Sequence, residues 1–410
     1  MIRKLKNSDP IKKITKINLS ESFKEFFENE KSAGLALMLC SIISLIIANS
    51  AFSAGYLDFW ESYVGGLSIS HWVNDGLMAI FFLLIGCELK RELYEGELSN
   101  FRNALLPIIA ACGGVALPAL LHFSLNAGTP TQAGIGIPMA TDIAFALSIL
   151  ALAGDRVPAS LKIFLTALAV IDDLIAIIVI ALFYTSKFSA LYLALSLGVF
   201  AVLMILNRLR FNSLFFYLLG GAVMWYFMYK SGVHATIAGV LLAFTIPYTP
   251  ETDDDDALNT LEHYLHKPVA FFILPVFALA NTGIIIGSGW VSELSTSNSL
   301  GIICGLFFGK VIGITILTFI AVKLRICRLP LSLSWKHIIG AGFLAGIGFT
   351  MSIFITNLAF KDDPGLINSS KMSILLTSLT AGIVGYIWLV MLDKLSDDSE
   401  IDSVSYEEGD

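Results

Sequence analysis

Twelve runs of the chain are long and apolar enough to cross a bilayer, near 32–50, 72–89, 104–124, 132–153, 160–184, 190–206, 213–229, 232–247, 268–287, 300–322, 337–359 and 372–392. A hydrocarbon core takes about 20 apolar helical residues to cross. Backbone amides and carbonyls find no water partner in lipid, so a chain patterned this way is confined to a helical bundle. The predicted fold class is therefore an all-α polytopic membrane protein with twelve transmembrane helices. Composition agrees: 56% of the 410 residues are apolar and 14% are charged, against about 45–50% and about 25% in soluble chains. So few ionic groups cannot clothe a water-facing surface, which excludes a soluble enzyme and a disordered chain. A net charge of −7 excludes nucleic acid as a partner; the lipid bilayer is the partner the pattern implies.

The runs divide the chain into a leader (1–30), a transmembrane domain (31–395) and an acidic tail (396–410) that is expected to be disordered. The leader is rich in Lys, carries Phe23, Phe26 and Phe27, and reads as an interfacial helix feeding a retained span. The stretch 51–71 is too polar to span and suggests an extracellular hairpin. Glu251, Asp253, Asp254, Asp255 and Asp256 mark a solvated loop. With the N-terminus inside, twenty-one Lys and Arg fall on the inner side and only Lys187, Lys230, Lys361 and Lys371 on the outer. That bias makes both termini cytoplasmic, in keeping with an even number of spans. The five cysteines lie singly among apolar residues with no metal-ligand spacing, so they read as packing residues and no cofactor is expected.

Two runs are interrupted. The fourth carries Gly134, Gly136 and Pro138 before Thr141 and Asp142; the eleventh carries Gly340, Gly342, Gly346 and Gly348 before Thr350. Such residues free backbone groups that survive in a membrane only where protein or a wet cavity covers them. Small-residue helix packing is the plainer alternative, more so for the eleventh run than for the fourth. Each interrupted run is the middle of a triplet, runs three to five and ten to twelve, and the triplets would thread the membrane in opposite directions. That is the pattern of an inverted repeat with an ion site at its interface.

Four ionisable residues sit where charge is expensive: Asp142 after the first break, Asp172 and Asp173 in mid-run, and Lys310 near the centre of the tenth run. Each costs about 2.5–3.5 kcal/mol even on a lenient insertion scale. Neighbouring aspartates on a helix point about 100° apart, so one can face an ion while the other faces a neighbouring span. Two close carboxylates in low dielectric cannot both stay charged without a cation. The pair therefore holds either protons or a cation. Carboxylates, a Thr hydroxyl and freed carbonyls suit a small hard cation such as Na⁺ or Li⁺. Asp142 and Lys310 have a second use, neutralising the ends of broken helices, and a purely structural ion pair between them is the alternative.

The segments PMATDIAFALSILALAG, VIDDLIAI, SGVHATIAGV, LEHYLHKPVAFFILPVFALANTG, FFGKVIGI and AGIGFTMSIFI closely resemble the NhaA family of bacterial sodium/proton antiporters, over about 30–395. Inverted repeats with broken helices are a recognised feature of that family, so the repeat and the resemblance are not independent. The resemblance implies a bacterial inner-membrane protein with crossed helices four and eleven, which extrudes Na⁺ or Li⁺ against a larger number of inward protons. It implies that Asp172 and Asp173 exchange protons for the transported ion, with Asp173 the direct cation ligand. Asp172 would pair with Lys310, and Thr141 and Asp142 would complete the site. It further implies control by pH through Glu88, Arg91, Glu92, His234, Glu262, His263 and His266, and a homodimer joined through the 51–71 hairpin. The sequence departs from the family at Asn259 and Thr260, where members often carry Lys and Arg, and in the aspartates before them; the pH set point is the property this touches. An intramembrane aspartyl protease is the rival, but it needs its two aspartates on different helices. A channel would show pore-lining repeats. Nothing in the sequence points to an enzyme.

Overall fold

A computed structural model describes residues 21–185, 188–249 and 256–407. The first helix, α1 (Glu21–Ala48), shows how leader and span are joined: it runs without a break from the charged stretch into the apolar one. The remaining long elements are α2 (Ile69–Tyr94), α3 (Phe101–Asn126), α4 (Ile143–Ala153), α5 (Ala159–Phe183), α6 (Ala190–Arg208), α7 (Leu214–Ser231), α8 (Ile237–Thr245), α9 (Ala257–Asn281), α10 (Ser297–Lys323), α11 (Trp335–Ala345), α12 (Phe349–Ala359) and α13 (Pro364–Glu407). Among the described residues nine helices are long and apolar enough to cross a membrane, and ten if α11 and α12 are one bent span. The expected twelve is reduced by α7, whose apolar stretch is diluted by Tyr226, Tyr229 and Lys230, and by α8, with only nine residues. Large apolar side chains such as Leu39, Ile46, Leu191, Ile205, Ile383 and Ile387 face outward. A surface this apolar belongs against hydrocarbon.

Residues 51–71 are more helical than expected. Ser53–Glu61 is a short helix, followed by two strands of two residues each, β1 (Tyr63–Val64) and β2 (Leu67–Ser68), paired antiparallel. Gly65 and Gly66 both have positive φ, at 64° and 90°, which is what the tightest two-residue hairpin turn demands. The acidic tail also differs from expectation, since α13 continues to Glu407. Its costly first turns form inside the bundle, and each further residue then adds to an existing helix.

Both interrupted runs are broken. The fourth begins as a 3₁₀ turn, Pro130–Met139, then passes through extended backbone at Ala140 and Asp142 before α4 starts. Pro138 and two glycines account for the failure to form an α-helix there. The eleventh bends by 46° between α11 and α12. At that bend a Cβ on Gly346 would lie 2.5 Å from the carbonyl oxygen of Leu306 in α10, so only glycine lets the chain pass. The two breaks meet: the Asp142 N–H donates to the Ile347 carbonyl at 2.7 Å, and Ser352 Oγ donates to the Ile137 carbonyl at 2.7 Å. Helices α3 and α10 cross backbone to backbone at Gly113 and Gly313, where a Cβ on either would sit 2.1 Å from the other's carbonyl oxygen. That close crossing holds Lys310 toward α5.

Candidate cation site

The crossing places helix ends in the buried interior. Asp142 is the N-cap of α4, and its Oδ1 accepts from the Phe145 N–H at 3.0 Å. Its Oδ2 reaches over to the other break, where it accepts from the Thr350 N–H at 2.9 Å and from the Thr350 hydroxyl. One carboxylate therefore caps the N-termini of α4 and α12 together. Negative charge at a helix N-terminus is stabilising, and here it serves two. Both oxygens accept hydrogen bonds, so Asp142 serves as a cap at the crossing, the use expected of it beside that of an ion ligand. Thr141, one residue earlier, places Oγ1 2.8 Å from Asp172 Oδ2 and 2.8 Å from the carbonyl oxygen of Ala345, the last residue of α11.

Asp172 and Asp173 lie in the middle of α5, 1% and 0% exposed. Asp172 Oδ2 accepts from Lys310 Nζ at 2.6 Å, with both side chains fully buried. Lys310 follows directly on a π-helical turn, Cys304–Gly309, in α10, a widening often found at functional positions. Lys310 thus pairs with Asp172. Asp173 is different in kind. Among the described residues neither of its oxygens has a hydrogen-bond partner, and Asp172 Oδ1 has none either. An unsatisfied buried carboxylate is too costly to keep as a charge on its own. Three acceptor atoms without donors suit a proton or a hard cation. Among the described residues no cluster of three or more His, Cys, Asp or Glu could hold a resident metal.

A cavity of about 80 Å³ leads toward this pair, lined in part by Glu88, Arg91, Glu92, His266, Thr166 and Val170. Thr166, Val170 and Asp173 share one face of α5 at helical spacing, so the cavity ends about one turn short of Asp173. Arg91 is 3.2 Å from Glu262. The structure therefore brings five of the seven residues expected to respond to pH to one end of the bundle. His263 is exposed and packs edge-on to Tyr264, apart from that group. His234 is at the opposite end, where its Nε2 is 2.9 Å from the Tyr184 carbonyl oxygen. His263 follows Glu262 by one residue, which turns a side chain about 100° on a helix, and His234 precedes α8, which starts where α9 ends.

Four participants escaped the sequence reading. Thr350 was visible only as the residue after the glycines, in the same place as Asp142 after its own break. The Ala345 and Ile347 carbonyls have no sequence signature. Lys90, one of the twenty-one inner-side charges, is buried and donates to the Phe244 and Ile246 carbonyls at 3.0 and 2.5 Å, closing the C-terminus of α8.

A bundle of membrane-crossing helices built around two crossed breaks and a buried carboxylate pair defines an ion-coupled membrane transporter. Residues 24–389 match the family model described as Na+/H+ antiporter 1. The chain is 64% identical over 377 residues to the Na(+)/H(+) antiporter NhaA of Dechloromonas aromatica, covering 92% of this chain and 97% of that one. It is 58% identical over 378 residues to the NhaA of Cytophaga hutchinsonii, covering 92% and 97%. At 48% identity over 373 residues it matches the NhaA of Aliivibrio salmonicida, covering 90% and 98%. The chain belongs to the NhaA Na⁺/H⁺ antiporter family. The protease alternative fails on the geometry as well, since both aspartates lie on α5 and one is held by Lys310.

Proposed function

We propose that the protein is an electrogenic secondary antiporter that extrudes Na⁺ or Li⁺ from a bacterial cell in exchange for inward protons. The observation that carries the reading is Asp173, fully buried with both carboxylate oxygens unpartnered, beside an Asp172 held by Lys310. In the cation-loaded state Asp173 and the free Oδ1 of Asp172 ligate the ion, and Thr141 contributes its hydroxyl oxygen. In the return state protons occupy the carboxylates. Two protons exchanged for one Na⁺ leave one net charge moved, and each charge is worth about 2.3 kcal/mol per 100 mV. An inside-negative potential therefore helps to expel sodium. The 2.6 Å Lys310–Asp172 pair favours Lys310 as a participant in proton exchange over a mere neutraliser of a helix end.

The chain is read as crossing the membrane twelve times, α7 and α8 being the two shorter crossings, with both termini cytoplasmic. The triplet α3, broken fourth run and α5 would repeat in inverted sense as α10, α11–α12 and α13. The cavity that reaches toward Asp173 then opens to the cytoplasm, and Glu88, Arg91, Glu92, Glu262 and His266 around it are placed to gate access by pH, histidine being the side chain suited to that range. The β1–β2 ribbon lies on the outer side, where it would join two copies as a homodimer. Everted vesicles test the central reading: adding Na⁺ or Li⁺ to respiring vesicles should collapse the pH gradient between pH 7 and 8.5. A gradient left intact by both ions, with the protein present, overturns it.

A further inference from the structure

The cavity near Glu88 is lined toward one end of α2 and α9. Toward their other end, α2, α9 and α12 meet in two layers, each built from these three elements. The inner layer is aromatic: Phe82 of α2, Phe277 of α9 and Phe354 of α12 are all fully buried, with the Phe354 ring 5.6 Å from Phe82 and 6.5 Å from Phe277. Beyond it lies a chain of three amides. Asn357 Nδ2 donates to Asn281 Oδ1 at 2.6 Å, and Asn281 Nδ2 donates to Asn74 Oδ1 at 2.8 Å and to the Phe277 carbonyl at 3.0 Å. The registers agree. Asn357 is one helical turn beyond Phe354, and Asn281 is one turn beyond Phe277.

Asn281 is the middle of this chain: its amide nitrogen donates twice and its oxygen accepts once. It is also buried, so the alternative to these bonds is an amide without partners in an apolar place. Asn74 and Asn357 are partly exposed toward the end of the bundle. Apolar residues would seal that end at no risk of unpaired groups. Amide hydrogen bonds instead can be exchanged for water one at a time, which suits a closure that has to open. The bonds to Asn281 also join α12, which is fixed to the cation site through Thr350 and Asp142, to α2 and α9, which line the cavity at the far end.

We propose that the Asn74–Asn281–Asn357 chain is the outer latch of the transport path. The latch holds the Asp173 site open to the Glu88 cavity alone, and the Asn281–Asn357 bond breaks each time an ion is released on the other side. This rests on the exchange site proposed above, and the experiment separates the two. In full-length protein with its five cysteines replaced by alanine, Asn281→Cys and Asn357→Cys are joined by a short, reducible bifunctional methanethiosulfonate and reconstituted in proteoliposomes. Na⁺/H⁺ exchange should fall by about tenfold or more and return on reduction, as expected when a two-state element is held in one state. Stabilisation against heat by Na⁺ should survive the crosslink. Crosslinked protein that exchanges as fast as the reduced form overturns the latch. Absence of Na⁺ stabilisation in the untreated protein would instead remove the exchange-site reading. A second variant needs no crosslink: Asn357→Leu deletes the bond while keeping size. A membrane hydrogen bond of this kind shifts an equilibrium by about threefold, so the KM for Na⁺ on the cavity side should rise by about that factor with the maximal rate little changed. Unchanged KM and rate together would also overturn the proposal.

Discussion

Asp142 and Asp173 are both aspartates, both buried near the crossing of two broken helices, and they have opposite surroundings. Asp142 accepts from the Phe145 amide, the Thr350 amide and the Thr350 hydroxyl. Asp173 accepts from nothing, and its neighbour Asp172 has one satisfied oxygen and one bare one. The positive ends of α4 and α12 stabilise the charge of Asp142 in the absence of any ion. Asp173 has no such partner, and its charge is tolerable only while a proton or a cation is present. What separates a structural carboxylate from a transporting one here is how many donors surround it, since depth of burial is the same for both.

The comparison can be broken most directly at Asp173. Asp173→Asn should reduce Na⁺-driven proton flux in everted vesicles by at least about a hundredfold, the scale of losing an anionic ligand in low dielectric, with the protein still folded by gel filtration. Wild-type-like exchange by that variant would remove the site assignment. Next in size is Lys310→Ala, which leaves Asp172 without its buried partner. Breaking such a pair costs about 3–5 kcal/mol, so thermal stability in detergent should drop strongly, and residual exchange should no longer build a membrane potential. Retained electrogenic exchange would return Lys310 to the role of a dipole compensator.

Asp142→Asn tests the other half. It turns one acceptor oxygen into a donor that faces donors, and hydrogen bonds to a charged group are worth about 1.5–3 kcal/mol each. Melting temperature should fall while the KM for Na⁺ in the surviving folded protein stays within about threefold, the difference between losing a cap and losing a ligand. An unchanged melting temperature with abolished transport would mean that Asp142 binds the ion after all. Proton and cation competition sets a graded effect. Below the pH where the carboxylates take up protons, the KM for Na⁺ should rise about tenfold per pH unit if one proton competes and about a hundredfold if two do. A flat KM from pH 8.5 to 6.5 would contradict exchange at a shared site. The smallest contrast is between the histidines: His266→Ala should move the pH midpoint of exchange, and His263→Ala, exposed and outside the cavity, should leave it in place.

The helical class of the fold and the sites of both breaks were legible because each rests on a local property. Run length, the 14% charge, and Gly–Pro clusters act within a helical turn or a span, so they can be read along one dimension. The four intramembrane charges were legible for the same reason: a charge inside a long apolar run is conspicuous wherever the chain goes. The pairing of Lys310 with Asp172 came from the family resemblance, and the structure agrees with it. The surroundings of the other candidates were not legible: the residue types of Asp142 and His234 marked them, and nothing in the sequence states what lies around them. The span count suffered at α7 and α8, where tyrosines, a lysine and a short helix blur the boundary between a crossing and a packed segment.

The sequence by itself thus determined that the chain folds in a membrane, where its helices break, and which side chains are too costly there to be ornamental. Only the tertiary structure decided which of those side chains is satisfied. Asp142 meets Thr350 across 208 residues of chain, and Lys310 meets Asp172 across 138. A hydrogen bond has a reach of about 3 Å and a direction. Whether a buried carboxylate has donors is therefore settled by how distant helices cross, and that is information no window along the sequence contains.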